Sequence, residues 1–218
     1  MEYSLVGWPE DGPQIRLDHR EFSYAGKFVM SNTGKAVVRE DEGEDGDSDG
    51  EGTDEREVET DDGSGEREVD SGRDPERDRD WVEDDRIVAA VAFNEDRTDP
   101  ATAWLRYVTV REDRRGEGLG ARLARFTTAR LREREYDRVK IAVNNAFAYH
   151  ALYKAGFGYT GEQTGLAELV LALPGDRSRE RYQSGLDVYR ERDRLADEER
   201  SFLAAKSHAD PPERVESP

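Results

Sequence analysis

The residues of this chain whose types and spacing point most directly to chemistry are Arg114-Arg115-Gly116-Glu117-Gly118-Leu119-Gly120-Ala121. They follow a hydrophobic stretch ending in Val108-Thr109-Val110 and open a run with apolar residues at Leu119, Leu123, Phe126 and Leu131. That pattern predicts a strand, a basic glycine-rich turn and then a helix. Free N–H groups at a helix N-terminus lie at the positive end of the helix dipole and hold anions. Glycines let a phosphate approach the backbone closely. The chemistry predicted is the binding of a phosphorylated ligand.

Three simpler explanations meet that segment. A Walker loop is excluded, because no Gly-Lys-Ser/Thr follows. The dinucleotide fingerprint G-x-G-x-x-G/A is matched formally by Gly116, Gly118 and Ala121. However, Arg111 to Arg115 separate the strand from the first glycine, and Asn144 and Asn145 stand where a ribose-binding acid should end the next strand. A tight turn without a ligand is the third explanation; three glycines beside two arginines exceed what a turn requires.

The elements that must position this loop follow from local patterns. Arg86–Asn94 is a near-continuous apolar run of strand length, suited to burial on both faces. Trp104–Val110 reads as the next strand, Leu119–Glu135 as a helix and Val139–Val143 as a short strand. Ala146–Ala155 is predicted as a helix stopped by Gly156, and Glu168–Leu173 as a last strand closed by Pro174. Phe28–Met30 and Ala36–Val38 read as two short strands about a turn, and 178–206 as a charged helical tail with Tyr182, Leu186 and Tyr189 on one face.

The chain carries 51 acidic against 33 basic residues, a formal charge of −18. Residues 40–80 hold 21 of the acidic and 5 of the basic side chains, so the other 177 residues are nearly neutral. With Val58 and Val69 its only aliphatic residues, the segment is expected to be a disordered insertion. A calcium loop on Asp45, Asp47, Asp49 and Gly50 fails at Arg56, where a Glu is needed. The net charge argues against nucleic acid as a bulk partner, and no apolar run approaches the length of a membrane helix. The absence of cysteine removes disulfides, thiolate metal sites and Cys nucleophiles. His19 and His208 lack companions, and no metal is expected. A cytoplasmic protein follows as the default. Only five lysines against 28 arginines resembles the usage of halophiles, and high genomic GC content would have the same effect.

Taken in order, the Val108–Val110 strand end, Arg115-Gly116-Glu117-Gly118-Leu119-Gly120, the helix, the Asn144-Asn145 strand end and Leu152-Tyr153-Lys154-Ala155-Gly156-Phe157 resemble the Gcn5-related N-acetyltransferase (GNAT) family over roughly residues 86–173. That family's acetyl-CoA motif is Gln/Arg-x-x-Gly-x-Gly/Ala. The resemblance implies an α/β (α+β) fold with a mixed central sheet flanked by helices, and acetyl transfer from acetyl-CoA to an amine. It implies that the backbone of Val108, Thr109 and Val110 holds the pantetheine arm. Arg115, Gly116, Gly118, Leu119, Gly120 and Ala121 would hold the pyrophosphate, with Arg114 adding charge, and Asn145 would touch the arm. The family's thiolate-protonating Tyr falls at Leu152 here, so Tyr153, one position or about 100° away, is the catalytic candidate, with Tyr149 on the same face. The general base stays open among Glu95, Glu168 and His150, since Trp104–Val110 contains no carboxylate.

The implied organisation is 1–39 as N-terminal strands, 40–80 as insertion, 81–174 as the acetyl-CoA-binding core and 175–218 as the helical tail. Residues 14–38 leave little room for the two helices that relatives carry there. The partners implied are acetyl-CoA and an amine acceptor, in a monomer or a homodimer joined through 178–206. A non-catalytic acyl-CoA sensor of the same fold is the alternative.

Overall fold

The computed structural model describes residues 1–41 and 81–218. All but the first two residues of the acidic insertion lie outside the described residues, and the calcium reading of Asp45, Asp47 and Asp49 lies there too. Residues Met1–Asp41 and Trp81–Pro218 form one compact unit. Its strands are β1 (Glu2–Gly7), β2 (Gln14–Ile15), β3 (Gly34–Arg39), β4 (Trp81–Val82), β5 (Ile87–Glu95), β6 (Thr102–Val110), β7 (Arg138–Val143), β8 (Gly158–Gln163) and β9 (Leu169–Leu173). Its helices are α1 (Leu119–Glu133), α2 (Ala146–Ala155), α3 (Arg179–Arg190) and α4 (Asp197–Ala205).

Seven strands form one mixed sheet in the order β1-β3-β5-β6-β7-β9-β8, while β2 and β4 pair separately. All neighbours in the large sheet run antiparallel except β6 and β7, which are parallel. A parallel pair needs a crossover, and α1 provides it. The expected mixed α/β fold is therefore the fold observed. β5 is buried from Ile87 to Phe93. Val91 and Phe93 belong to the larger core, which includes buried apolar side chains from all four helices; Ala90 and Ala92 belong to a second, smaller one.

Three local expectations need correction. Phe28–Met30 is not a strand: Phe28 ends a 3-10 turn, Ala25–Lys27, and its fully buried ring fills the second core. The strand partner of β3 is instead β1, at the start of the chain. The tail is two helices, α3 and α4, and Tyr182, Leu186 and Tyr189 are wholly buried in the chain's own larger core. A further strand, β8, carries two glycines and polar residues, so it has little local signal; a Cβ on Gly158 would meet the Asp176 carbonyl oxygen at 2.1 Å.

As the short 14–38 span requires, no α-helix lies between β1 and β3. This irregular segment is held by Lys35, a fully buried lysine. Its ammonium donates to the carbonyls of Pro13 (3.1 Å), Met30 (2.8 Å) and Thr33 (2.8 Å), and to Thr33 Oγ1 (2.6 Å). Burial lowers its pKa to about 8. Replacing it leaves several oxygens without a donor, which costs about 1–3 kcal/mol for each such group left buried and unsatisfied. Lys35→Met is therefore expected to lower unfolding stability by at least about 1 kcal/mol and to speed amide exchange in residues 13–33. Unchanged stability and exchange would contradict the clamp.

Candidate active site

β6 and β7 pair from Thr102↔Arg138 to Leu105↔Ile141 and no further, although β6 continues to Val110 and β7 to Val143. At the same point Ala92 faces Tyr107 and Phe93 faces Leu105, so Arg106 is an extra residue, a bulge in β6. A bulge bends a strand and sharpens its twist, which accounts for the parting of two strands that begin parallel. Beyond Leu105, β6 has a strand partner on its β5 side alone. An extended backbone edge is thereby left open, with Val108 and Val110 half-buried. Thr109 is 4% exposed, and its buried Oγ1 has no hydrogen-bond partner among the described residues.

The open edge runs into the glycine loop. Gly116 and Gly118 have φ of 89° and 80°, a region costly to residues with a Cβ. No atom lies within 4 Å of where their Cβ atoms would be. Gly118 is the N-cap of α1, and the helix's first bond runs from the Arg122 N–H to the Gly118 carbonyl, 3.1 Å. The amides of Leu119, Gly120 and Ala121 thus lie before the helical ladder, with no side-chain cap and no acidic residue in the first turn. Gly120 has a different reason: a Cβ would stand 3.3 Å from Val110 Cγ2, so its absence lets α1 close on β6. Uncapped amides, glycine-only backbone and the neighbouring Arg115 and Arg122 form a site suited to an anion.

The arginines divide the work. Arg114 binds Glu117 with two 3.0 Å bonds and also pairs with Glu40, so its charge is largely neutralised. Arg111 pairs with Asp113 (2.8 Å) and Glu40 (3.3 Å). Arg115 contacts Ser23 Oγ at 3.1 Å, with Glu112 3.9 Å away, and its side chain is half exposed.

The other predicted residues lie on α2 and around it. Asn145 is the helix N-cap, its Oδ1 accepting from the Ala148 N–H at 2.8 Å. Glu199 of α4 accepts from the Ala146 N–H at 3.0 Å, a contribution that sequence reasoning did not find. Tyr153 is wholly buried; its hydroxyl accepts from the Tyr159 N–H (3.0 Å) and lies 3.3 Å from the Tyr149 hydroxyl. Tyr149 in turn donates to the Tyr182 carbonyl at 3.1 Å. Burial raises the pKa of Tyr153 and keeps its phenol neutral. The three candidate bases are dispersed: Glu95 accepts from Tyr136 (3.4 Å), Glu168 accepts from Thr164 (3.0 Å), and His150 Nδ1 lies 2.7 Å from the Tyr182 hydroxyl. None of them lines the cleft that lies against the bulge. That open cleft, about 460 Å³, is bounded by Trp104, Arg106 and Tyr107 of β6, Asn94 of β5, and Asp96, Arg97, Met30, Asn32 and Thr33. Arg106 was not singled out in the sequence, where a lone charge inside Trp104–Val110 was the only signal of a bulge. Among the described residues no group of three or more His, Asp and Glu side chains is arranged to hold a metal ion, and no helix is long and apolar enough to cross a membrane.

Comparison with known proteins matches residues 48–159 to the model of the Acetyltransferase (GNAT) family. No curated protein matches the chain. Among solved structures, the chain is similar to nourseothricin acetyltransferase, at 24% identity over 39% of this chain and 56% of that one, with a TM-score of 0.36. It is similar to the PaiA N-acetyltransferase from Thermoplasma acidophilum in complex with coenzyme A, at 14% identity over 42% and 55%, TM-score 0.35. It is also similar to the ribosomal-protein-S18-alanine N-acetyltransferase from Escherichia coli, at 19% identity over 42% and 63%, TM-score 0.33. The chain thus spans less than two thirds of each of these proteins.

His150 provides a test of the packing around α2. Burial, with Lys206 and Lys154 adding like charge, lowers its pKa to about 4. Between the ordinary value near 6.5 and about 4, the unfolded chain binds a proton that the folded chain refuses, so stability falls as pH drops through that window. His150→Gln is expected to flatten the Tm-against-pH curve between about pH 7 and 4.5, by the slope of about one proton. Curves of equal slope would contradict the burial.

Proposed function

The chain belongs to the GNAT acetyltransferase family, and from that premise we propose that it transfers the acetyl group of acetyl-CoA to a primary amine, of a small molecule or a protein, with both substrates held together. One observation carries the reading: the unpaired edge of β6 leads, through a single 3-10 turn at Glu112–Arg114, to an uncapped helix N-terminus built on glycine. An extended arm bearing amides suits a free strand edge, and a pyrophosphate suits free helix amides. In this reading the backbone of Val108, Thr109 and Val110 pairs with the pantetheine arm. The amides of Gly116, Gly118, Leu119, Gly120 and Ala121 hold the pyrophosphate; Arg115 contributes its side chain only, because its N–H donates to the Glu112 carbonyl at 3.3 Å. Asn145 reaches the arm through Nδ2, because its Oδ1 is committed to Ala148.

The chemistry is a balanced exchange. The amine nitrogen forms a C–N bond to the acetyl carbon, the C–S bond breaks, the nitrogen loses a proton and the departing thiolate gains one. Alignment of the two reactants on β6 supplies much of the acceleration, and backbone amides stabilise the developing oxyanion. Tyr153 is proposed as the donor to the thiolate; the neutral phenol that its burial favours is the form able to donate. In this reading 1–39 and 81–174 form the acetyl-CoA-binding body, 40–80 is an insertion, and 175–218 is a helical segment that shares the body's core. No metal, nucleic acid or membrane enters the reading. The 28 arginines against five lysines fit a salt-adapted setting and fit a GC-rich genome equally.

A second reading, binding of acyl-CoA without turnover, is favoured by the complete burial of Tyr153 and by the lack of a carboxylate on β6. Calorimetric titration is expected to give one acetyl-CoA per chain and a higher Tm. Gly118→Asp places a competing carboxylate beside the loop amides, at a left-handed φ that costs roughly 1–2 kcal/mol to a residue with a Cβ; it should weaken binding at least about tenfold, with far-UV circular dichroism showing that the fold is retained. An acetylation assay then separates the two readings. Turnover that drops at least about tenfold in Tyr153→Phe supports the proton donor. Binding without turnover supports the sensor, and absence of binding overturns both.

A further inference from the structure

The cleft beside the β6 bulge is lined by two arginines, Arg97 and Arg106, and a single carboxylate, Asp96. We propose that the acceptor is a primary amine carrying an oxyanion, a carboxylate first among them, and that Arg106 is the residue that binds that group. This rests on the transferase reading above, because the cleft and the open strand edge share β6.

Arg106 stands where the β6–β7 ladder ends, so it flanks both the edge proposed for the cofactor arm and the cleft. Its guanidinium is fixed from two sides. Nε donates to Asn94 Oδ1 at 2.6 Å, and the group lies over the Trp104 ring, 5.1 Å from its centroid. Nη1 and Nη2 have no acceptor among the described residues. A guanidinium with its Nε side occupied and its outer pair of nitrogens free presents two parallel donors, the pattern that a carboxylate or phosphate accepts. Its orientation is set before the ligand arrives, which lowers the cost of binding.

The electrostatic balance points the same way. Asp96 is the single carboxylate lining the cleft, and both of its oxygens are engaged. Oδ2 accepts from the Trp104 indole N–H, and Oδ1 accepts from the Thr98 N–H (2.8 Å) and hydroxyl (2.7 Å). These bonds, the indole first, hold its carboxyl well below the usual range. Against it stand Arg97 and Arg106 in the lining. Lys140 lies 5.6 Å from the Trp104 ring centroid and Lys27 lies 5.9 Å from that of Tyr107. A polyamine or a lysine-rich peptide would enter a field of its own sign. An amine with an oxyanion has a receptor for the anion, and the same cations favour the neutral, nucleophilic form of its nitrogen. That effect suits a cleft that none of Glu95, Glu168 and His150 lines.

The test is acetylation by the full chain, followed by free-thiol detection, with matched acceptors: glycine and β-alanine, their carboxamides, phosphoethanolamine and spermidine. Carboxylates are expected to exceed their carboxamides at least about tenfold in kcat/KM. Arg106→Gln should erase that preference mainly by raising KM, with Arg106→Lys recovering part of it. A larger rate with phosphoethanolamine assigns the oxyanion as phosphate and supports the same chemistry. Carboxamides or spermidine used equally well, or a preference that survives Arg106→Gln, overturns the proposal. So does acetyl-CoA binding with no member of the panel acetylated. Acetyl-CoA titration of the same samples separates the two levels: binding without the preference overturns this inference alone, and absence of binding overturns the transferase reading with it. If Arg106→Gln does not fold, the wild-type comparison decides.

Discussion

The site depends on β6 losing its β7 partner after Leu105. A parallel pair would ordinarily continue as far as both strands run, since each further residue satisfies backbone groups that are otherwise expensive to leave without partners. Here Arg106 is added to one strand only, and the bend it introduces turns the last five residues of β6 away from β7. The unpaired groups form the extended edge that the proposed function assigns to the cofactor arm. The glycine loop follows on the same strand, and Gly120 lets α1 pack against Val110, so the helix N-terminus is placed at the end of the open edge. One extra residue therefore coincides with the opening of the strand edge, which the proposed function joins to the helix N-terminus in one site.

The rest of the molecule holds that geometry from both faces of the sheet. On one face, Tyr149, Tyr153, Tyr182 and Tyr189 pack ring against ring, with the Tyr149–Tyr153 centroids 4.9 Å apart and the Tyr153–Tyr182 centroids 4.7 Å apart. Tyr189 also donates to the Val143 carbonyl at 3.0 Å, tying α3 to the end of β7. Gly185 is required there, because a Cβ would meet the Tyr149 hydroxyl at 2.1 Å. On the other face, Lys35 gathers the oxygens of an irregular segment over β3 and β5. A buried ammonium is tolerated because hydrogen-bond acceptors replace its water.

How much of this was legible depended on whether the signal was local. The apolar run of β5, the periodicity of α1 and the Asn145 and Gly156 ends of α2 are each written within a few residues, and each was read close to its true bounds. Gly116 and Gly118 announced a special backbone for the same reason. β8, polar and twice interrupted by glycine, is a strand because β9 pairs with it. Phe28 resembled a strand residue, yet its ring serves a core assembled from distant segments. The bulge at Arg106 and the burial of Tyr153 were beyond local reading. The first arises from register with β5, and the second from α3, some thirty residues further along the chain.

If the open edge of β6 and the N-terminus of α1 bind one acetyl-CoA between them, as proposed, the ligand shields both from solvent. Amide hydrogen exchange of the full chain, with and without saturating acetyl-CoA, is then expected to slow at residues 106–110 and 116–121 together, with the β1 edge of the sheet unaffected. Protection elsewhere, or protection of the loop without the strand, would contradict it.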